Sequence, residues 1–221
     1  MFKSISVIYL YSILNTMAKK SKPKADSTTK EKIIEAARKL FTQQGYTAIK
    51  TRDIAKEAGI NLALLNYYFR SKENLFEIVM KENFTQFIKG ISELVNNEET
   101  SINKKIELLV ANYIEMLSLN PDMPLFVLSH SKEKPQLMKV RETFMNSVFM
   151  KQVQQEVKAG KIAPINPANL VMNIIGLTIF PFIGRRIIQN SNGITSQQFN
   201  VLMQERKKMI PKWIEAMLKV K

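Results

Sequence analysis

From Thr28 onward the apolar residues recur every three or four positions, and they keep that period to the end of the chain. Thr28-Thr29-Lys30-Glu31 reads as a capping box, in which a hydroxyl and a carboxylate satisfy amides at a helix start. Ile33, Ala37, Leu40 and Phe41 then mark one buried face, and Gly45 ends that helix. Thr51 is placed to cap a second helix running through Ala58, which Gly59 ends. Asn61 caps a third, short helix reaching Phe69, and Ser71 caps a fourth that begins at Lys72. Longer helices follow over 72–96, 102–119, 122–131, 136–159, 167–189 and 195–219, with Pro121, Pro124, Pro135, Pro164 and Pro167 punctuating the gaps. Pro181 falls inside an apolar helix and predicts a kink, because it removes one backbone hydrogen bond and crowds the preceding turn. No segment sustains the two-residue alternation of a half-buried strand, so the fold class is all-α.

The pattern between 29 and 69 is more specific. Three short helices, with a tight turn at Gly59 joining the second to the third, make a helix-turn-helix. Ile54 and Ala58 share one face of the second helix, and Ile60, Leu65 and Phe69 close a small core against it. That leaves Asn61, Leu62, Ala63, Asn66 and Tyr67 facing outward. Asn pairs bidentately with adenine, and Leu and Ala can touch a thymine methyl, so this face suits a major groove.

The stretch Ile33 to Leu75, IIEAARKLFTQQGYTAIKTRDIAKEAGINLALLNYYFRSKENL, resembles the DNA-binding domain of the TetR family of transcriptional regulators. The shared elements run in order. They are Ala36-Ala37-x-x-Leu40-Phe41, Gly45-Tyr46, Thr51-x-Asp53-Ile54-Ala55, Ala58-Gly59-Ile60, and Tyr68-Phe69-x-Ser71-Lys72-Glu73-x-Leu75. The chain departs from the common pattern at Leu64, where a threonine is usual, and at Asn66, where an aromatic is usual. Its Asn61-x-Ala63-x-x-Asn66-Tyr67 run is similar to a subset of the family. The resemblance implies that Thr51 and Arg52 contact phosphate, that Tyr67 and Tyr68 contact or pack on the DNA backbone, and that Lys72 brings its charge and nearby amides to a phosphate. It also implies a domain plan: an extension over 1–27, disordered or mis-assigned; a helix-turn-helix DNA-binding domain over 28–75; and a helical effector-binding and dimerisation domain over 76–221.

Charge points the same way. Thirty-three Lys and Arg against nineteen Asp and Glu give +14, an excess that suits a polyanionic partner such as nucleic acid or an anionic membrane. Residues 1–75 hold fourteen of the basic and six of the acidic side chains, so +8 lies in the first third of the chain. The remaining composition, 45% hydrophobic and 24% charged over 221 residues, is that of an ordinary globular protein. There is no cysteine, and His130 is the only histidine. Thiolate zinc sites, Cys nucleophiles and Glu-x-x-His metal bundles are therefore excluded, and His130 has no glycine elbow near it to build a triad. The reading calls for no enzyme activity, no cofactor and no metal, in a reducing cytoplasm.

At the N-terminus, Lys3 precedes an apolar run from Ile5 to Leu14, followed by the basic Met17-Ala18-Lys19-Lys20-Ser21-Lys22-Pro23-Lys24. The run is shorter than the roughly 20 residues that span a bilayer as a helix, and no small-residue cleavage site follows it. Translation from Met17 and an ordered extra helix are the two readings of this segment. A rival for the chain as a whole is a membrane-surface protein using this basic end.

In the C-terminal part, Leu170, Val171, Ile174, Ile175, Leu177, Ile179, Phe180, Phe182 and Ile183 exceed what one buried stripe needs. A homodimer interface through 167–189 and 195–219 accounts for the excess, and so does a central position in a monomer. Met116, Met123, Phe126, Met138, Phe144, Met145, Phe149 and Met172 can line an apolar ligand cavity or serve as plain core. The resemblance implies a homodimer on a double-stranded, palindromic operator, with no membrane role. A small-molecule effector would release it by favouring a state with mis-spaced recognition helices. Coupling is expected through the 72–96 helix, which carries Lys72 at one end and Phe84 and Phe87 further along.

Overall fold

The structure, a computed structural model, describes residues 25–130, 142 and 144–219. Among these residues the secondary structure is helical, without strands, as the periodicity predicts. The helices are α1 (Ala25–Gln44), α2 (Thr51–Glu57), α3 (Leu62–Phe69), α4 (Lys72–Asn96), α5 (Ile102–Leu119), α6 (Met123–His130), α7 (Val148–Lys158), α8 (Pro167–Ile183), α9 (Arg185–Asn192) and α10 (Ser196–Lys219). α1 to α3 form a head. α4 leaves it as a long strut, packed against α1 at one end and against α5, α6 and α7 further along. α5 lies at the centre of the body, flanked by α10, α8 and α4. One continuous core runs from Ile33 and Phe69 in the head through Val79 and Phe87 to Leu109, Phe199 and Ile214.

Local chemistry sets most of the boundaries. Asn61, Ser71, Ser101 and Ser147 each accept a backbone N–H from three residues on, at 2.8, 3.2, 3.3 and 3.3 Å, and so start α3, α4, α5 and α7. Thr195 and Gln198 form a reciprocal box at the start of α10. Two starts differ from expectation. α1 begins at Ala25, so Thr28 to Glu31 lie inside the helix rather than at its cap. α2 begins with Thr51 rather than after it: Lys50 is the cap residue, and the Asp53 carboxylate accepts its amide at 2.8 Å.

Three further boundaries are corrected. The expected 122–131 helix begins at Met123 and is described as far as His130, with residue 131 outside the described residues. The 136–159 segment is not one helix: a turn at Asn146 and Ser147 precedes α7, while 131–141 and 143 lie outside the described residues. The 167–189 segment breaks at Gly184 into α8 and α9, bent by 63°.

The break lies three residues beyond Pro181, and the reason is a repair at the proline. Pro181 has no N–H for the carbonyl of Leu177, the acceptor one turn back. The Arg206 guanidinium of α10 donates to that carbonyl at 2.8 Å and lies over the Trp213 ring at 5.3 Å. α8 therefore continues through its proline, tied to α10 at the orphaned acceptor. Burial lowers the guanidinium pKa from its ordinary value.

The tie is testable by urea denaturation. Arg206→Met should cost about 1.5–3 kcal/mol, the range for a hydrogen bond from a charged donor. In a Pro181→Ala background, where residue 181 again supplies an amide, the same change should cost at least about 1 kcal/mol less. Equal costs in the two backgrounds would separate Arg206 from the proline.

Candidate nucleic-acid interface

The head is assembled around a few buried side chains. Ile54 and Ala55 of α2 and Leu65 and Phe69 of α3 are buried together with Ile33, Ala37 and Phe41 of α1. Gly59 makes the α2–α3 turn at φ +68°, a conformation that a side chain would strain. Leu65 and Phe69 stand four apart, so burying them fixes the rotation of α3. Its opposite face then presents Asn61, Leu62, Ala63, Asn66 and Tyr67, all exposed, with Tyr67 at 80%. The outward set is the one the sequence pattern gives.

These residues are not equivalent. The Asn61 side-chain oxygen is already the acceptor for the Leu64 amide at 2.8 Å. Its cap role leaves only the NH2 group for a base. Among the described residues the Asn66 side chain has no such bond, and it keeps both donor and acceptor for a bidentate contact. Tyr68 is half-buried, edge-on to Tyr67 at 5.4 Å between centroids. Arg52 is exposed, and Thr51, freed from capping, lies half-buried in the first turn of α2.

Lys72 differs from its expected role. Its ammonium donates to the carbonyls of Tyr46 and Ile49 at 3.1 and 2.9 Å, and sits 4.0 Å from the Tyr46 ring centroid. The charge is committed to the α1–α2 turn rather than held free for a phosphate.

Sequence reasoning passed over three residues that hold the head in place. Tyr46 is the first. Besides holding Lys72, it gives its amide to the Asp122 carboxylate at 3.0 Å and its hydroxyl to Glu73 at 2.6 Å. Its ring packs with Phe41 and Phe76, and Phe76 reaches Phe126 of α6. Asp122 is the second, in a turn where Asn120-Pro121 signals only a break. The third is Arg70, at φ +60° with Ser71 N–H bonded to the Phe69 carbonyl at 2.6 Å. That is the strained form of the γ-turn, and it sets the direction in which α4 leaves α3.

The predicted apolar ligand residues differ in burial. Phe126 and Phe149 are buried, Met116, Phe144 and Met145 are half-buried, and Phe144 packs edge-on against Phe149 at 5.7 Å. Met172 is 61% exposed on α8. Met138 lies outside the described residues.

A helix-turn-helix head on an all-α body is the class this architecture defines. The family model described as bacterial regulatory proteins, tetR family, matches residues 33–79. The probable HTH-type transcriptional regulator YttP of Bacillus subtilis is 38% identical over 73 residues, which are 33% of this chain and 35% of that protein. The chain thus spans about a third of that relative's length. The HTH-type transcriptional regulator RutR of Escherichia coli K12 is 28% identical over 169 residues, 73% of this chain and 76% of RutR. A TetR/AcrR-family regulator from Thermobifida fusca shares the fold at a TM-score of 0.56 and 18% identity, over 84% of this chain and 97% of that one. The match to the tetR-family model thus covers the head and the first turns of α4, and the likeness of the remaining helices to that regulator is one of fold.

The Tyr46 joint has a pH signature. Burial, and then the Glu73 hydrogen bond, push the Tyr46 phenol up to about 12, and burial alone does the same for Tyr113. The Tyr46 hydroxyl, the largest cause, holds Glu73 below the usual carboxylate range. A lowered carboxylate pKa stabilises the fold above its unfolded value, and that contribution is lost as pH falls through the lowered one. A raised phenol pKa costs stability as pH rises from about 10, its unfolded value. The stability deficit of Tyr46→Phe should therefore be largest near neutral pH and shrink toward both extremes. In phenolate absorbance titrations, Tyr46→Phe and Tyr113→Phe should each remove one late-ionising group; a variant that removes an ordinary one instead would refute the assignment.

Proposed function

We propose that the chain is a DNA-binding transcriptional repressor that acts as a homodimer on a palindromic operator and is released by a small molecule. The observation that carries the DNA-reading part is the face of α3. Exposed Asn61, Leu62, Ala63 and Asn66, whose chemistry suits base reading, share with Tyr67 one side of a helix whose other side is locked by Leu65 and Phe69. In this reading Asn66 makes the bidentate base contact, while Leu62 and Ala63 offer apolar contacts. Thr51, Arg52, Tyr67 and Tyr68 hold the phosphates. Lys72 acts by fixing the turn, leaving the first amides of α4 for a phosphate.

The homodimer is supported by apolar surface at the far end of the molecule. Met172 and Phe180 of α8, Ile187 of α9 and Val201 of α10 are 61%, 65%, 72% and 54% exposed, and Trp213 of α10 is 40% exposed. Apolar side chains in such number on neighbouring helices suit burial against a second copy. No single helix among the described residues is long and apolar enough to cross a membrane; α8 and α9 together have the length and composition but bend at Gly184. We place the protein in the cytoplasm, with its operator.

Release requires that the body move the head. Two paths join them. Along α4, Glu82 pairs with Arg38 of α1 at 2.6 Å. At the start of α6, Asp122 holds Tyr46. A ligand that shifts α6 relative to α4 would turn α3 through both, in proportion to its differential affinity for the two arrangements.

Mobility shifts with the DNA upstream of the protein's own gene test the reading. Arg52→Ala should weaken binding to all sequences and flatten the dependence of log K on log salt by about 0.9, the share of one phosphate contact. Asn66→Ala should cost about 1–3 kcal/mol of discrimination at one base position and leave the salt slope unchanged. Binding that is no tighter than to random DNA and unchanged in both variants would contradict the assignment of this face.

A further inference from the structure

A groove opens between α5 and α10, on a face that neither the head nor the apolar dimer surface uses. Its volume is about 500 Å³, within the size of small-molecule sites, roughly 300–1,000 Å³. Leu108 and Ala111 of α5 and Pro211 of α10 give it an apolar floor. Lysines stand around this floor, and their pairing is uneven. Lys104 is held by Glu107 at 2.7 Å and Lys207 by Glu115 at 2.9 Å. Glu215, also on the rim, is paired with Lys219 at 2.8 Å. Lys208 and Lys212 line the same groove, and neither has a carboxylate within ion-pair distance among the described residues.

Lys208 and Lys212 are four apart on one helix, so their ammonium groups are neighbours and repel each other. A negative group seated between them removes that repulsion. An inorganic anion would leave the apolar floor in water, and an uncharged hydrocarbon would leave the two cations unanswered. We infer that the α5–α10 groove binds an amphipathic organic anion, its acidic group between Lys208 and Lys212 and its apolar part on Leu108, Ala111 and Pro211. The inference rests on the groove alone and stands apart from the DNA-reading face. Because α10 also carries Val201 and Trp213 on the proposed dimer surface, a ligand here would bear on subunit contact.

The probe is 1-anilinonaphthalene-8-sulfonate, an amphipathic organic anion whose fluorescence rises in apolar surroundings, added to the full-length protein. Its uncharged counterpart, N-phenyl-1-naphthylamine, is the control. Lys208→Gln/Lys212→Gln should weaken binding of the sulfonate about tenfold and leave the uncharged dye unaffected. Ala111→Trp, which fills the floor, should weaken both dyes at this site. Lys208 and Lys212 are exposed and Ala111 is half-buried, and unchanged circular dichroism and Tm establish that the variants fold. Sulfonate affinity equal to wild type in the double lysine variant and in Ala111→Trp would overturn the proposal, as would equal losses for the charged and uncharged dyes in the lysine variant.

Discussion

The position of the reading helix depends on how one tyrosine is held. Tyr46 sits in the turn between α1 and α2, and its polar groups are engaged by α4 and by the threshold of α6. Asp122, at the threshold of α6, takes its amide; Glu73 of α4 takes its hydroxyl; Lys72 of α4 donates to its carbonyl and covers its ring. The ring completes an aromatic chain from Phe41 through Phe76 to Phe126. A turn on the surface of a three-helix unit is ordinarily mobile. Here it is the place where head, strut and body are fastened. α3 is set against the same small core, so its outward face inherits the orientation of the joint.

The body shows a different solution to a similar problem. α8 carries a proline in its interior and still runs to Ile183, because Arg206 of α10 supplies the donor that Pro181 lacks. The chain turns at Gly184, and α9 departs at 63°. α8 and α10 are thereby joined by a hydrogen bond as well as by packing. Apolar side chains are left on the outside of all three last helices.

Much of this was legible in the sequence, and for identifiable reasons. Leu65 and Phe69 at helical spacing determine which side of α3 is buried, so the outward residues follow without coordinates. Asn61 and Ser71 cap as their side chains dictate. Where the reading went astray, a local signal lost to a neighbour. Thr51 resembles a cap residue, but Asp53 already serves the Lys50 amide and moves the start back by one. Thr28 and Glu31 form a box on paper, yet α1 begins at Ala25. Lys72 looks like a free charge beside the reading head until the fold brings two carbonyls and a ring to it. The pairings of Tyr46 with Asp122 and of Leu177 with Arg206 join residues 76 and 29 positions apart. Such partners carry no periodicity and no shared motif, and only the packed chain brings them together. The apolar Met and Phe residues of the body were open to two readings for a related reason: hydrophobic spacing shows that a side chain is buried, not whether it faces another side chain or a cavity.

Native-state hydrogen exchange at the Tyr46 amide tests this account most directly. If the head is fastened to the body at this turn, the amide should be protected to the same degree as core amides of the head such as that of Phe69. Asp122→Ala should lower its protection selectively while leaving Phe69 unchanged. A Tyr46 amide that exchanges as fast as an exposed loop in the wild-type protein, or that is indifferent to Asp122→Ala, would contradict it.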